Sequence, residues 1–200
     1  SMALSARDSA FLTFWLPSGI YLALLLRQPR RLWPALILGA VIANHALLFA
    51  AALMPRSRLL GPNLARLPRV AAERGEVGLS FDDGPDPDIT PRVLDLLDAH
   101  GARASFFCIG ERAAAHPALV REIVARGHRV ENHSARHPIG FGFYGPLRMA
   151  REIARAQALL AAAAGIAPRY FRAPMGIRNP MLAPVLVRLG LHYASWTRRG

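Results

Sequence analysis

Two adjacent carboxylates and two histidines four residues apart are the chemically most informative residues of this chain. Asp82 and Asp83 follow a short apolar run, His133 and His137 come later in the chain, and Arg172 comes later still. Oxygen and nitrogen ligands, a spare carboxylate that can act as a base, and a cation beside that base are the components of a metal-dependent hydrolytic site. The three groups together, in this order, predict such a site far more strongly than any one of them alone.

The strings that carry these residues closely resemble the motifs of NodB-like polysaccharide deacetylases, which form carbohydrate esterase family 4. Residues 80–85 read Ser-Phe-Asp-Asp-Gly-Pro, which matches the family's TFDDGP except that Ser80 replaces Thr. Residues 133–137 satisfy the family's H-[ST]-x-x-H pattern. Residues 172–176 satisfy R-x-P-x-G, with Met175 where the family usually has Tyr.

The resemblance implies a role for each polar residue of these strings. Asp82 would be the general base, and Asp83, His133 and His137 would be the metal ligands. Arg172 would pair with Asp82 and keep it ionised. The alternatives are an Asx turn for the two aspartates, solvated or capping histidines, and a plain surface arginine.

The third string and two aromatic residues are candidates for contacting a substrate. By resemblance, the backbone N–H of Met175 would help to hold the oxyanion that develops during hydrolysis, and Pro174 and Gly176 would shape the turn around it. We expect Tyr144 and Trp196 to contact the sugar. The loop that carries Phe141, Phe143 and Tyr144 could equally be a wall for sugar stacking or a loop that packs on the core.

The expected cofactor is one divalent metal ion. Three protein ligands leave coordination positions open for water and substrate, which is typical of a catalytic metal site. Two imidazoles and one carboxylate favour Zn²⁺, while Co²⁺ or another divalent ion would also suit this ligand set.

The second half of the chain alternates short apolar runs with helical patterns. This alternation predicts right-handed β-α units and a mainly parallel sheet, and hence an α/β fold. All three strings directly follow predicted strands, at the face where active sites assemble in β/α barrels. The resemblance, which covers residues 76–196, implies a distorted, incomplete (β/α) barrel of the NodB-homology type over residues 76–200.

Two long apolar runs occupy the front of the chain, at residues 10–26 and 32–54. An α-helix rises about 1.5 Å per residue, so the second run can span an apolar layer of about 30 Å and the first is marginal. We predict a transmembrane helical hairpin over residues 1–55 and an irregular linker over residues 56–75 near the membrane surface. The alternatives are two buried helices of a soluble domain and a cleaved signal peptide.

The charge pattern does not give a unique membrane orientation. Arg27, Arg30 and Arg31 between the runs favour an external catalytic domain, whereas Arg56 and Arg58 after the second run favour the opposite. The expected substrate favours a periplasmic catalytic domain attached to a bacterial inner membrane, with the lipid bilayer as a partner.

Basic composition does not indicate a nucleic-acid partner. The net charge is +12, but all 25 basic residues are arginines spread along the chain rather than clustered with aromatic residues. The single cysteine, Cys108, lies in an apolar run, which favours a buried structural thiol.

Taken with the resemblance, these residues predict an N-deacetylase that acts on an N-acetylhexosamine-containing cell-envelope glycan or lipid-linked sugar. The family's later motifs, which supply an Asp beside Arg172 and a late His that protonates the leaving amine, are not found before Gly200. We therefore expect a truncated chain with weak activity, since general-acid catalysis contributes about 10²–10⁴ in rate. The alternatives are a non-catalytic glycan-binding membrane protein and a metal-dependent amidohydrolase or esterase with a non-sugar substrate.

Overall fold

The structure is a computed structural model of the chain, and it describes residues 21–54 and 56–198. The contacts between Cα atoms divide the chain after Leu47 into two compact units. The N-terminal unit and the larger unit that follows it are described separately.

One long apolar helix dominates the described part of the N-terminal region. Residues 21–26 are helical, a 3₁₀ turn covers Arg30–Leu32, and helix α1 covers Trp33–Leu53. By length and composition the helical stretch Arg30–Leu53 could cross a membrane, a property that signal sequences share. The second predicted apolar run is therefore confirmed as a helix. Most of the first run lies outside the described residues, so the hairpin and its membrane anchoring stay predictions.

The larger unit contains a five-stranded parallel sheet whose strands are neighbours in chain order. The strands are β1 Leu79–Asp82, β2 Ala104–Cys108, β3 Arg129–Asn132, β4 Tyr170–Phe171 and β5 His192–Tyr193. The helices are α2 Arg69–Glu73, α3 Ile89–Ala99, α4 Gly110–Ala115, α5 Pro117–Ala125, α6 Pro146–Ala164 and α7 Leu182–Arg188. This order confirms the predicted parallel β-α architecture.

One predicted helix is divided in two. The pattern from Glu111 to Arg126 predicts a single helix, but the structure has a break at His116, between α4 and α5. Pro117 explains the break, because proline lacks an N–H donor and is favoured at the first position of a helix.

The two faces of the sheet have different roles. Phe106, Cys108 and Val130 belong to a core cluster beneath the helices, and Phe171 belongs to a second such cluster. Side chains alternate along a strand, so Phe107, next to Phe106, faces the other way and contacts Arg172. One face of the sheet is thus core, and the other carries polar side chains.

The segment that we predicted as a linker, residues 56–75, contacts both edges of the sheet, near β1 and at β5. The N–H of Leu64 donates to the carbonyl of Tyr193 at 3.0 Å, and the N–H of Ser195 donates to the carbonyl of Leu64 at 3.0 Å. The side chain of Leu67 packs beside Gly78, just before β1. The segment is mostly irregular, as predicted, yet it extends the hydrogen bonding of the sheet at β5.

Asn63 attaches this segment to the sheet through buried polar contacts. Asn63 and Ser195 are both buried, and the Ser195 hydroxyl donates to Asn63 Oδ1 at 2.8 Å. Asn63 Nδ2 in turn donates to the carbonyl of Ser57 at 3.1 Å.

We expect Asn63→Ala to lower the free energy of unfolding by about 1–3 kcal/mol, because it leaves the buried Ser195 hydroxyl without its acceptor. Urea denaturation of the full chain measures the change. A double-mutant cycle with Ser195→Ala provides the control, since residues that share one hydrogen bond are not additive. Strictly additive effects of the two changes would contradict the predicted coupling.

Candidate metal centre

The two adjacent aspartates separate at the end of β1. Asp82 is the last residue of the strand, and Asp83 follows with φ 67°, in the left-handed region. This turn lets neighbouring carboxylates serve different partners. Arg112 holds the turn by donating from Nη1 to the carbonyl oxygen of Asp83 at 2.7 Å.

Asp83 meets both histidines of the second string. Its Oδ1 lies 3.4 Å from Nε2 of His133 and 3.3 Å from Nε2 of His137. One ligand atom from each of the three residues lies within 4.8 Å of the others. Ligands about 2.0–2.2 Å from a tetrahedral metal ion lie about 3.3–3.6 Å from one another, so this donor set fits a divalent cation.

A hydrogen bond on the opposite side of its ring orients His133. Nδ1 of His133 lies 2.8 Å from the carbonyl oxygen of Arg172. A carbonyl only accepts, so Nδ1 carries a proton, and Nε2 is the ring nitrogen that faces Asp83. This arrangement, in which a backbone oxygen fixes the tautomer, is typical of metal-binding histidines.

A four-residue spacing of two histidines also suits one turn of a helix, but the second string forms a loop instead. Ser134 and His137 have φ values of 67° and 53°, both left-handed. The N–H of Ser134 donates to Oδ1 of Asn132, and the N–H of His137 donates to the hydroxyl of Ser134, both at 2.9 Å. The two imidazoles therefore meet through a hydrogen-bonded loop rather than along one helix face.

The surroundings of Asp83 and His137 favour the protonation states in which these side chains can bind a metal ion. The hydrogen bond with His133 lowers the pKa of Asp83, although partial burial opposes this effect. Burial lowers the pKa of His137, and the charge of His133 adds to this effect. Asp83 is consequently ionised and His137 neutral at neutral pH, and these are the states that bind metals.

Arg172 is a buried cation whose guanidinium is fully engaged. It is 4% exposed, and its Nη1 donates to Asp82 Oδ1 at 2.5 Å and to Ser80 Oγ at 2.9 Å. Its Nε and Nη2 donate to the carbonyls of Ala194 and Ser195 at 3.4 and 3.2 Å. Ser80 has a hydroxyl, as the Thr of the resembled motif does, and here this hydroxyl accepts from Arg172.

The third string forms a 3₁₀ turn beside Arg172. Met175 is left-handed, with φ 56°, and is 52% exposed. A Cβ atom on Gly176 would lie 2.5 Å from the ring of Trp196, so glycine is required there. Pro174 is buried, and the ring of Trp196 lies 5.5 Å from the guanidinium carbon of Arg172. The structure therefore brings these four substrate-site candidates together.

Tyr144 has different neighbours. Its ring contacts that of Phe141 at 5.7 Å, and the guanidinium of Arg148 lies 3.8 Å from its centroid. Phe141 is fully buried and belongs to a core cluster, so the loop after the second string packs on the core through this residue.

An open cavity of about 440 Å³ adjoins two of the three candidate ligands, Asp83 and His137. Its lining residues are Asp83, Ile109, Glu111, Arg112, Arg136 and His137. The motif residues alone did not identify Glu111, Arg112 or Arg136. Glu111 and Arg112 lie three and four residues after β2, near the strand end where sites assemble. This position was the sequence signal that could have identified them.

Comparison with known proteins identifies the family. Residues 69–194, more than half of the chain, match the family model described as polysaccharide deacetylase. The chain belongs to the polysaccharide deacetylase family. This finding confirms the resemblance of the three motifs.

Named relatives and solved structures agree with this assignment. A chitooligosaccharide deacetylase of Sinorhizobium fredii is 37% identical over 135 residues, covering 67% of this chain and 62% of that protein. A family 4 carbohydrate esterase from Streptomyces lividans in complex with acetate is 42% identical, with a TM-score of 0.56 over 58% of this chain and 60% of that chain. A family 4 acetyl xylan esterase from Clostridium thermocellum, in complex with cobalt, is 33% identical, with a TM-score of 0.53 over 58% and 55%. The chain thus spans less than two thirds of each of these proteins.

We expect the full chain to bind Zn²⁺ at one site, measured by isothermal titration calorimetry. His133→Ala or Asp83→Asn should weaken this binding by more than about 100-fold, because even the loss of an outer partner costs 10–100-fold. The control is His100→Gln, since His100 is an exposed residue at a helix end. Equal affinities for the control and the ligand variants would contradict the assignment of the centre.

Proposed function

We propose that this protein is a metal-dependent hydrolase that removes N-acetyl groups from an N-acetylhexosamine-containing cell-envelope glycan or lipid-linked sugar. The observation that carries the proposal is the convergence of Asp83, His133 and His137 next to the ion pair between Asp82 and the buried Arg172. The deacetylase name of the Sinorhizobium fredii relative supports this reaction, and its chitooligosaccharide substrate supports a sugar that contains N-acetylglucosamine.

The proposed cofactor is one divalent ion, with Zn²⁺ as first choice and Co²⁺ or another ion as alternatives. The cobalt in the acetyl xylan esterase structure supports a divalent ion at a family site. When bound, such an ion supplies Lewis-acid chemistry, which polarises the acetyl carbonyl and makes water more acidic. Asp83, His133 and His137 would hold it.

Asp82 is the proposed general base. Its carboxylate lies 2.5 Å from Arg172 Nη1 and therefore forms an ion pair with that guanidinium. The same contact fixes the direction of the carboxylate, so Asp82 can accept the proton of the attacking water. Proton transfer by a positioned base contributes about 10²–10⁴ in rate.

The turn of the third string would complete the site. The backbone N–H of Met175 is the proposed donor to the oxyanion, and Pro174, Gly176 and Trp196 hold that turn beside Arg172. A backbone donor does not depend on the side chain, so the change from Tyr to Met preserves it. One such donor stabilises the transition state by about 2.7–4 kcal/mol. Tyr144 remains a candidate for contacting the sugar.

We also propose that the apolar helix anchors the protein in a lipid bilayer, with the catalytic domain on the periplasmic side. The proposed organisation is a membrane hairpin over residues 1–55, a linker over 56–75 and a catalytic domain over 76–200. Helix α1 supports the second half of the hairpin by its length and composition. A membrane anchor would place the metal centre near envelope glycans.

A second candidate reaction is the hydrolysis of an acetyl ester. The acetyl xylan esterase neighbour favours it, since that protein shares this fold at 33% identity. The two reactions differ in the leaving group, because an amine leaves poorly unless it is protonated. Rates measured side by side on an acetylated xylan and on N-acetylglucosamine oligomers separate the two candidates.

We expect the full chain to release acetate from N-acetylglucosamine oligomers, and Asp82→Asn to lower kcat by about 10²–10⁴ while Zn²⁺ affinity is retained. Acetate release is measured by a coupled assay with and without a chelator. The matched control is Asp86→Asn, because Asp86 Oδ1 accepts from the N–H groups of Asp88 and Ile89 at 2.9 Å, and an Asn oxygen can do the same.

Activity that survives both the chelator and Asp82→Asn would rule out the proposed mechanism. Metal and glycan binding without any acetate release would instead favour the non-catalytic binding protein.

A further inference from the structure

The loop that follows His137 and the first turn of helix α6 expose large apolar side chains. Ile139 is 82% exposed, Phe143 is 83% exposed and Leu147 is 69% exposed. We call these three residues the apolar tip. They lie within nine positions of one another in the chain, and exposed apolar patches commonly mark interaction surfaces.

The loop holds these side chains outward on a fixed support. Phe141 is fully buried and packs against Phe171 at a ring distance of 5.6 Å. Nδ2 of Asn179 donates to the carbonyls of Gly142 and Tyr144, at 2.9 and 3.0 Å. The residues on both sides of Phe143 are therefore anchored, and its exposure belongs to an ordered loop.

The charge around the apolar tip is positive. Residues 136–151 contain three arginines and no acidic residue. Arg136 is compensated, since it contacts the carboxylates of Glu152 and Glu111 at 3.7 and 4.0 Å. Within residues 21–54 and 56–198, no carboxylate forms an ion pair with Arg148 or Arg151.

We propose that the apolar tip, with Arg148 and Arg151, docks the catalytic domain on the surface of an anionic lipid bilayer. Apolar side chains flanked by arginines fit the boundary between acyl chains and headgroups, where they insert about 5–10 Å. Each arginine near an anionic surface contributes about five-fold to partitioning. Ile139 of this docking surface lies two residues after His137, a proposed metal ligand. Docking would therefore turn the proposed metal centre toward glycans held at the membrane, a consequence that rests on the proposed function.

A sugar chain fits this surface less well than a bilayer. Phe143 offers an aromatic face on which a sugar ring could stack, but Ile139 and Leu147 are aliphatic and offer none. A bilayer accommodates all three side chains and both arginines. The presence in the same chain of a helix long and apolar enough to cross a membrane also favours the bilayer.

The test places a fluorescent label on the apolar tip of the full chain in nanodiscs of anionic lipid. Phe143→Cys and Leu147→Cys are labelled with bimane, and quenching by lipids with doxyl groups on their acyl chains is measured. The native thiol does not compete, because Cys108 is fully buried and burial raises its pKa to about 12.

The matched control is Ile166→Cys. Ile166 is apolar and 64% exposed, like the tip residues, but it follows the other end of α6. A helix of 19 residues is about 28 Å long, so a label at 166 lies well away from one at 147. Thermal denaturation checks that each labelled variant keeps the stability of the parent chain.

We expect at least about two-fold more quenching at positions 143 and 147 than at 166, since only inserted residues reach the acyl chains. Arg148→Gln with Arg151→Gln, or a change from anionic to zwitterionic lipid, should reduce this quenching about five-fold or more. Equal quenching at all three positions, or none at any, would overturn the proposal.

A sugar-binding role would give a different result. If N-acetylglucosamine oligomers shielded position 143 from aqueous iodide while doxyl lipids failed to quench it, the loop would be a sugar wall and the proposal would be wrong. The readout does not use catalysis. If the protein is inactive but shows the expected quenching, the proposed function fails and the docking proposal stands. If the protein is active but shows no quenching, only the docking proposal fails.

Discussion

The need to pair one buried cation, Arg172, organises the polar face of this fold. A guanidinium removed from water is tolerated only when its donors and its charge are satisfied. Here the partners come from opposite ends of the sheet, Ser80 and Asp82 on β1 and the carbonyls of Ala194 and Ser195 after β5. One side chain thus ties together strands that are not neighbours in the sheet, and its charge fixes the proposed base.

The same residue connects the proposed base to the candidate metal centre. The carbonyl oxygen of Arg172 accepts from Nδ1 of His133, while its guanidinium binds Asp82. A displacement of β4 would move the base and a metal ligand together. The support extends further outward, because Leu64 and Asn63 hold Ser195, whose carbonyl binds Arg172. The segment that we predicted as a linker is thereby part of the structure that keeps the candidate site in place.

Sequence predicted the parts of this site that depend on local pattern. The parallel β-α order followed from the alternation of apolar runs, and the motif residues lie at strand ends because the polar strings directly follow those runs. The pairing of Leu64 with the strand end at Ala194 was not predictable in this way, since it joins segments far apart in the chain and Leu64 lies in no strand pattern. The loop that joins the histidines was also missed, because four-residue spacing indicates a helical turn equally well.

Backbone strain is concentrated where the chemistry is proposed. Asp83, Ser134, His137 and Met175 are the non-glycine residues with positive φ in the described part of the chain, and all four belong to the motif strings. Each such residue costs about 1–3 kcal/mol, which only surrounding contacts can offset. The bonds from Arg112 to Asp83 and from Ser134 to His137 supply such contacts. The proposed ligands are consequently held in position by the protein itself, because relaxing the strained turns would require breaking those hydrogen bonds.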